Sequence, residues 1–248
     1  MMINRSKLVE YCDELLQTSL FKDYCPNGLQ IEGGDSINKI VSGVTASQAL
    51  IDAAIEQQAD VILVHHGFFW KGENAVLTGI KKRRIKSLLE HDINLLAYHL
   101  PLDAHKILGN NAQLAAKLSL TIEAYFSGND IAVLGQVKPQ SGHAFKTQLQ
   151  TVLGREPLHV EAARNISKVA LCTGAAQGYI EQAIDLGVDA FISGEISENT
   201  WHIAKENKVH YFAAGHHATE RYGVQALGAH LAEQFSLEHQ FIDIFNPV

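Results

Sequence analysis

The chain has 248 residues, of which 46% are apolar and 19% charged, the balance of a globular protein with a real core. A formal charge of −7, with no basic cluster beyond the solvated helix face Lys81, Lys82, Arg83 and Arg84, argues against duplex nucleic acid as a partner. The cysteines, Cys12, Cys25 and Cys172, are scattered and form no Cys-x-x-Cys pair, which disfavours a disulfide framework and a thiolate zinc site; no apolar run suits a membrane span or a signal peptide, so the expected location is the cytoplasm.

The N-terminal segment places Leu8, Val9, Cys12, Leu15 and Leu16 at amphipathic helical spacing. Short β-branched runs then alternate with helical patterns: a strand at 39–44, a helix near 47–58, a strand at 60–64, a helix near 81–91, a strand at 93–99 and a helix from about 111. From about 120 to 166 the pattern weakens, with a strand at 131–137 and a helix near 143–153. Regular alternation resumes with a strand from 168, a helix near 177–186, a strand at 189–193, a helix near 197–206, a strand at 209–214, a long helix from about 217 and a strand at 239–244.

This order predicts an α/β fold of two lobes with mainly parallel sheets: 1–122 as the first, 123–166 as a small connecting α/β unit, and 167–248 as the second, all forming one compact structural unit. The lobes read as copies. Lys39 onward aligns without gaps onto Lys168 onward, matching Gln48 with Gln177, Ile51 with Ile180, Ala54 with Ala183, Ile55 with Ile184 and Asp60 with Asp189. Each copy then runs into a histidine with an acid four residues on, His99 with Asp103 and His216 with Glu220. Equivalent strand ends related by a pseudo-twofold axis converge on one cleft, where open α/β sheets place their ligands.

Chemistry-bearing residues stand at those strand ends. His65 and His66 terminate VILV, and a chain that turns there aims both imidazoles into one cleft. In AYHLPLDAH, Pro101 restricts Leu100 toward extended backbone, and Asp103 is the preferred ligand in a loop that also holds His99 and His105. In AAGHHATE, Gly215 lets the chain turn, and His216 and Glu220 share a face if both are helical. Imidazoles and carboxylates without thiolates suit zinc, manganese or iron(II), and a carboxylate such as Glu220 can bridge two ions.

Four segments carry a specific resemblance: GVTAS, VHHGFFWKG, HLPLDAHKILGNNAQLA and AAGHHATE, joined by PNGLQIEG near the N-terminus. Together they resemble the YbgI-type dinuclear metal-centre proteins, the Ngg-interacting-factor-three-like family, also known as GTP cyclohydrolase I type 2 homologues. The resemblance implies that His65, His66, Asp103, His216 and Glu220 ligate two divalent ions per chain, zinc, iron or manganese, with Glu220 shared between them. It also implies a toroidal homohexamer whose metal sites face an internal cavity.

The repeat puts Glu195 in the place of His66 and His99 in the approximate place of His216, which makes Glu195, His99 and the bridging Glu220 the candidate catalytic groups. Asn27, Gly28 and Gln30 suit a substrate-contacting turn, and Phe69 and Trp70 could stack on a base or pack in the core. GAAQG at 174–178 is no dinucleotide fingerprint, and GVTAS offers no glycine-rich phosphate turn, so nicotinamide or flavin chemistry is not expected. The resulting expectation is a metal-dependent hydrolase acting on a phosphate-bearing small molecule such as a nucleotide. The rival is a metal-containing, ring-shaped binding or scaffold protein without turnover.

Overall fold

The protein is described over residues 2–248 by a computed structural model. A short strand β1 (Ile3–Asn4) leads into α1 (Arg5–Leu16), whose Asn4 cap accepts the Ser6 N–H and whose Leu8, Cys12 and Leu16 face inward. Then follow β2 (Gly28–Ile31), β3 (Ser36–Ile37), β4 (Lys39–Thr45), α2 (Gln48–Glu56), β5 (Val61–His66), α3 (Gly79–Glu90), β6 (Asn94–Ala97), α4 (Leu100–Ala104) and α5 (Asn110–Lys117). The middle of the chain supplies β7 (Thr121–Phe126), β8 (Ala132–Gln140), α6 (Gly142–Leu153) and β9 (Leu158–Val160). The remainder forms β10 (Ile166–Cys172), α7 (Ile180–Asp185), β11 (Ala190–Ser193), α8 (Glu198–Glu206), β12 (His210–Ala213), α9 (His216–Thr219), α10 (Arg221–Phe235) and β13 (Glu238–Phe241). Serine caps fix three helix starts: Ser47, Ser141 and Ser197 accept the N–H groups of Leu50, Ala144 and Thr200.

The chain divides into two units, one comprising residues up to Leu102 with Gly223–Phe245, the other Asp103–Tyr222 with Asn246–Val248. In the first, a five-stranded sheet runs β13-β4-β5-β6-β2, parallel except for the β2 edge. Its central strands are buried on both faces, which is why they read as unbroken apolar runs. Val41, Leu50, Ile51, Ile62, Val64, Leu88 and Leu95 form the core on one side. In the second unit a six-stranded sheet runs β7-β8-β10-β11-β12-β9, with a parallel centre and antiparallel flanks.

The weakly patterned stretch at 123–166 is not a separate connection. Strands β7 and β8 extend one edge of the second sheet and β9 forms the other. Ile122, Val133, Val137, Phe145, Leu149 and Leu153 join the cluster that holds Ile166, Val169, Leu171 and Phe212, so their burial ties them to the second unit. The C-terminal boundary also differs from the expectation, because β13 pairs with β4 and belongs to the first unit. Leu100 begins a helix instead of staying extended, and Pro101 sits in that helix's first turn, where a missing N–H costs no hydrogen bond.

The internal repeat is present in the backbone. Val61 pairs with Asn94 and Val64 with Ala97 in the first unit, as Ala190 pairs with His210 and Ser193 with Ala213 in the second. Asp60 Oδ2 accepts the N–H groups of Asn38 and Lys39 at 2.8 and 2.9 Å, and Asp189 Oδ2 accepts those of Ser167 and Lys168 at 3.0 and 2.9 Å. Beyond the third strand the Tyr98 N–H meets the Val64 carbonyl and the Ala214 N–H meets that of Ser193. That register makes His99 equivalent to Gly215, so His216 stands one residue later in its copy than His99 does in its own.

Candidate metal-binding residues

In the first unit the end of β5 and the residue after Tyr98 bring three imidazoles together. His65, His66 and His99 each offer a ring nitrogen within 4.8 Å of the others, and their ring centroids lie 4.7 to 5.8 Å apart. His65 is fully buried, and its Nδ1–H donates to the Tyr98 carbonyl at 2.9 Å. A carbonyl can only accept, so this bond fixes the tautomer and leaves the lone pair on Nε2, the state a metal ligand needs. His99 Nδ1 donates to Asp23 Oδ1 at 2.7 Å in the same manner, and His66 Nδ1 lies 3.2 Å from the Thr45 hydroxyl.

Asp23 organises the surroundings of His99. Its carboxylate also accepts from Asn27 Nδ2 and from the N–H groups of Tyr24 and Leu100, while Asn27 Oδ1 accepts the His99 N–H at 2.7 Å. Burial works against the charged Asp23, but the His99 ring, Asn27 and the Tyr24 N–H outweigh it and hold the carboxyl at about 2. With Cys25, Asp23 and His99 form a further cluster of metal-ligating type. Trp70 stands edge-on to His99 at 5.1 Å, half-buried, with its indole N–H on the Gly67 carbonyl.

In the second unit the site-forming groups are mainly carboxylates. His216 opens α9, and its Nε2 lies 3.1 Å from Glu220 Oε2 while Nδ1 lies 2.7 Å from Glu195 Oε1. Glu220 follows the helix as its C-cap and not as a helical residue, yet its side chain still reaches the face that carries His216. Burial disfavours a charged imidazole here, but Glu220 and Glu195 overcome it and raise His216 to about 9. In chemical terms two carboxylates demand a positive charge, which a proton supplies and a metal ion would supply better.

Gly174 makes this arrangement possible. It has φ +67°, and a Cβ there would fall on the Glu220 carboxylate and press on His216 Nε2. Its N–H donates to the Thr219 hydroxyl at 3.1 Å, and that hydroxyl donates to the Gly215 carbonyl at 2.9 Å. Asp103 is buried and accepts from Asn110 Nδ2 at 2.8 Å, while Asn111 joins the Asp103 carbonyl to the Thr173 N–H. Burial first, then the charges of Asp103 and Glu220, push the Cys172 thiol far above its usual range, so this cysteine is an inert neighbour of the carboxylates.

Each residue expected at a strand end therefore lies in one of two polar sets, the imidazoles of the first unit or the carboxylates with His216 in the second. His105 is elsewhere: its Nδ1 accepts the N–H groups of Ile107 and Leu108 and caps a turn. Gln30 is a structural staple, bonded to the backbone of Pro26 and Phe68. Asp23 escaped sequence reading because it sits in a loop without periodicity, and Asn110 and Asn111 because the first turn of a helix is an ordinary place for asparagine.

Comparison with known proteins is consistent from end to end. The Duf34/NIF3 (NGG1p interacting factor 3) family profile matches residues 3–247. A Pseudomonas aeruginosa protein named GTP cyclohydrolase 1 type 2 homolog is 56% identical over 251 residues, covering 100% of both chains. A Vibrio cholerae protein of the same name is 51% identical, covering 99% of this chain and 100% of its own. Among solved structures, protein ybgI, described as of unknown function, superposes with a TM-score of 0.96 at 47% identity over 99% of this chain and 100% of its own. TTHA1606 from Thermus thermophilus gives 0.92 at 32% identity, with the same coverage.

Proposed function

Because the chain belongs to the Duf34/NIF3 (NGG1p interacting factor 3) family, we propose that it is a divalent-metal-dependent hydrolase acting on a nucleotide or similar phosphate-bearing small molecule. In this reading His65, His66, Asp103, His216 and Glu220 would hold two divalent ions, with Glu220 serving both. The carrying observation is the preparation of His65: a fully buried imidazole whose Nδ1–H is committed to the Tyr98 carbonyl, so that Nε2 keeps its lone pair. The buried Glu220, paired with His216, supplies the negative charge that an ion would neutralise.

The donor set fits zinc, iron or manganese, which accept imidazole and carboxylate together. Bound divalent ions would lower the pKa of a ligated water and polarise the substrate. The chain's own groups handle position and protons. Glu195 holds His216 through Nδ1 and so fixes the direction of Nε2. His99, with Nδ1–H on Asp23, presents Nε2 as a proton acceptor, and the Asp23 carboxylate stabilises the imidazolium that forms. The names of the relatives point to ring opening of a guanine nucleotide as the first reaction to assay. A toroidal homohexamer in the cytoplasm, with the metal sites facing its cavity, completes the proposal.

The test is elemental analysis of protein purified without chelators and then reloaded with metal, beside an assay of GTP consumption and phosphate release. The expected result is about two equivalents of metal per chain with metal-dependent turnover, and loss of metal from His66→Ala with secondary structure unchanged. Metal-free protein after reloading, or full metal retention in His66→Ala, would overturn the ligand assignment. Stoichiometric metal without turnover of any nucleotide would favour the ring-shaped binding protein over the enzyme.

A further inference from the structure

Beside His216 the second unit carries a cavity of about 730 Å3, lined among others by Lys146, Arg155, His159, Glu195, Gly215 and Val248. The nitrogen-bearing side chains in it are not equivalent. Lys146 is neutralised by Glu156 at 2.5 Å, and His159, a half-buried ring stacked on Phe212, hydrogen-bonds through Nε2 to His210. Arg155 has no carboxylate partner among the described residues. Its one hydrogen bond runs from Nη1 to the Pro247 carbonyl at 2.8 Å.

The position of Arg155 is specific. Gly215 has φ +98°, and a Cβ on it would collide with the Arg155 guanidinium and its Cδ, so the absence of a side chain lets the cation lie directly on the turn that carries His216. The guanidinium thus packs on the residue before His216, and it faces the cavity without a carboxylate partner of its own among the described residues. Its planar fork of N–H donors matches the oxygens of a phosphate, and an anion held there would lie beside the turn that carries His216. Backbone oxygens fill the place meanwhile: Pro247 O on Arg155 at 2.8 Å and Val248 O on the His217 N–H at 2.9 Å.

Resting on the hydrolase reading above, we propose that Arg155 anchors a subsite for the phosphate of the substrate, and that residues 246–248 occupy this subsite as a displaceable strap. The substrate class is thereby narrowed to phosphate monoesters or polyphosphates, whose anionic end enters beside Gly215 while the reacting part lies toward His216. Among the described residues the strap gives up two hydrogen bonds there, and the one on Arg155 comes from the neutral Pro247 carbonyl, which a charged acceptor outcompetes for a guanidinium.

The experiment is equilibrium binding of inorganic phosphate to the metal-loaded full chain and to the metal-depleted one, by calorimetric titration, which requires no turnover. Arg155→Gln is expected to weaken phosphate binding by about tenfold or more, Arg155→Lys by less, and Lys7→Gln, an exposed charge in the other unit, not at all. Removal of residues 246–248 is expected to tighten binding. If Arg155 merely pins the strap, Arg155→Gln and the truncation will shift phosphate affinity in the same direction, and the proposal fails. Equal affinity of wild type and Arg155→Gln, or no saturable binding to either the full or the truncated chain, would also overturn it. Because phosphate is not turned over and metal content is measured separately, failure here leaves the metal and hydrolase tests standing on their own results.

Discussion

In the first unit Asp60 closes the start of the repeat by accepting two backbone N–H groups, and in the second Asp189 does the same with the same geometry. At the other end of the strands the copies diverge. Thr45 corresponds to Gly174 and His66 to Glu195, while the ladder sets His99 against Gly215. The shared end consists of backbone bonds, which any duplicated fold must keep satisfied. The divergent end consists of side chains beyond the last ladder bond, which can change without unpairing a strand. One copy thereby collected imidazoles and the other collected carboxylates with a single imidazole, and both are groups of metal-ligating type.

The largest expected effect breaks the charged half. Glu220→Ala should abolish metal retention, measured by elemental analysis, and should destabilise the metal-free protein by about 2 kcal/mol through loss of a buried charged hydrogen bond. Asp103→Asn keeps the shape and removes the charge, so weaker metal binding is expected in equilibrium competition with a chelator. Unchanged affinity in Asp103→Asn would show that another acid serves the second unit.

A smaller effect tests the common end. Asp60→Ala and Asp189→Ala each leave two backbone N–H groups without their acceptor, and each should lower stability in urea by about 2 kcal/mol with metal content retained. Asp189 also pairs with a half-exposed Arg164, which adds little in solvent. A neutral result at one aspartate and a large one at the other would mean that the copies do not share this anchor.

The smallest effect sharpens the contrast through pH. In metal-free protein His216 is raised from 6.5 to about 9, so its contribution is complete below 6.5 and fades as pH climbs toward about 9. Asp23 is lowered from 3.8 to about 2, so its contribution is complete above 3.8 and is lost as pH falls toward about 2. Urea midpoints across pH should therefore decline on the alkaline side through the second unit and on the acid side through the first. Glu220→Gln should flatten the alkaline limb and Asp23→Asn the acid one; an alkaline limb untouched by Glu220→Gln would assign it to another group.

Sequence by itself determined the alternation of strands and helices, the repeat, and the strand-end residues His65, His66, His99, Asp103, His216 and Glu220, because hydrophobic periodicity and an abrupt change to polar residues are local signals. The unit boundaries were decided only by tertiary structure. The edge strands β7 and β9 carry little periodicity of their own and join the second unit by pairing and burial, and β13 crosses to the first unit by pairing with β4. Tertiary structure also decided which nitrogen of His65 and His99 keeps a lone pair, through the Tyr98 carbonyl and Asp23, and it placed Gly174 beneath Glu220 and Arg155 against Gly215. Those contacts join residues far apart in the chain, and hydrogen-bond direction and steric room exist only once the strands have brought them together.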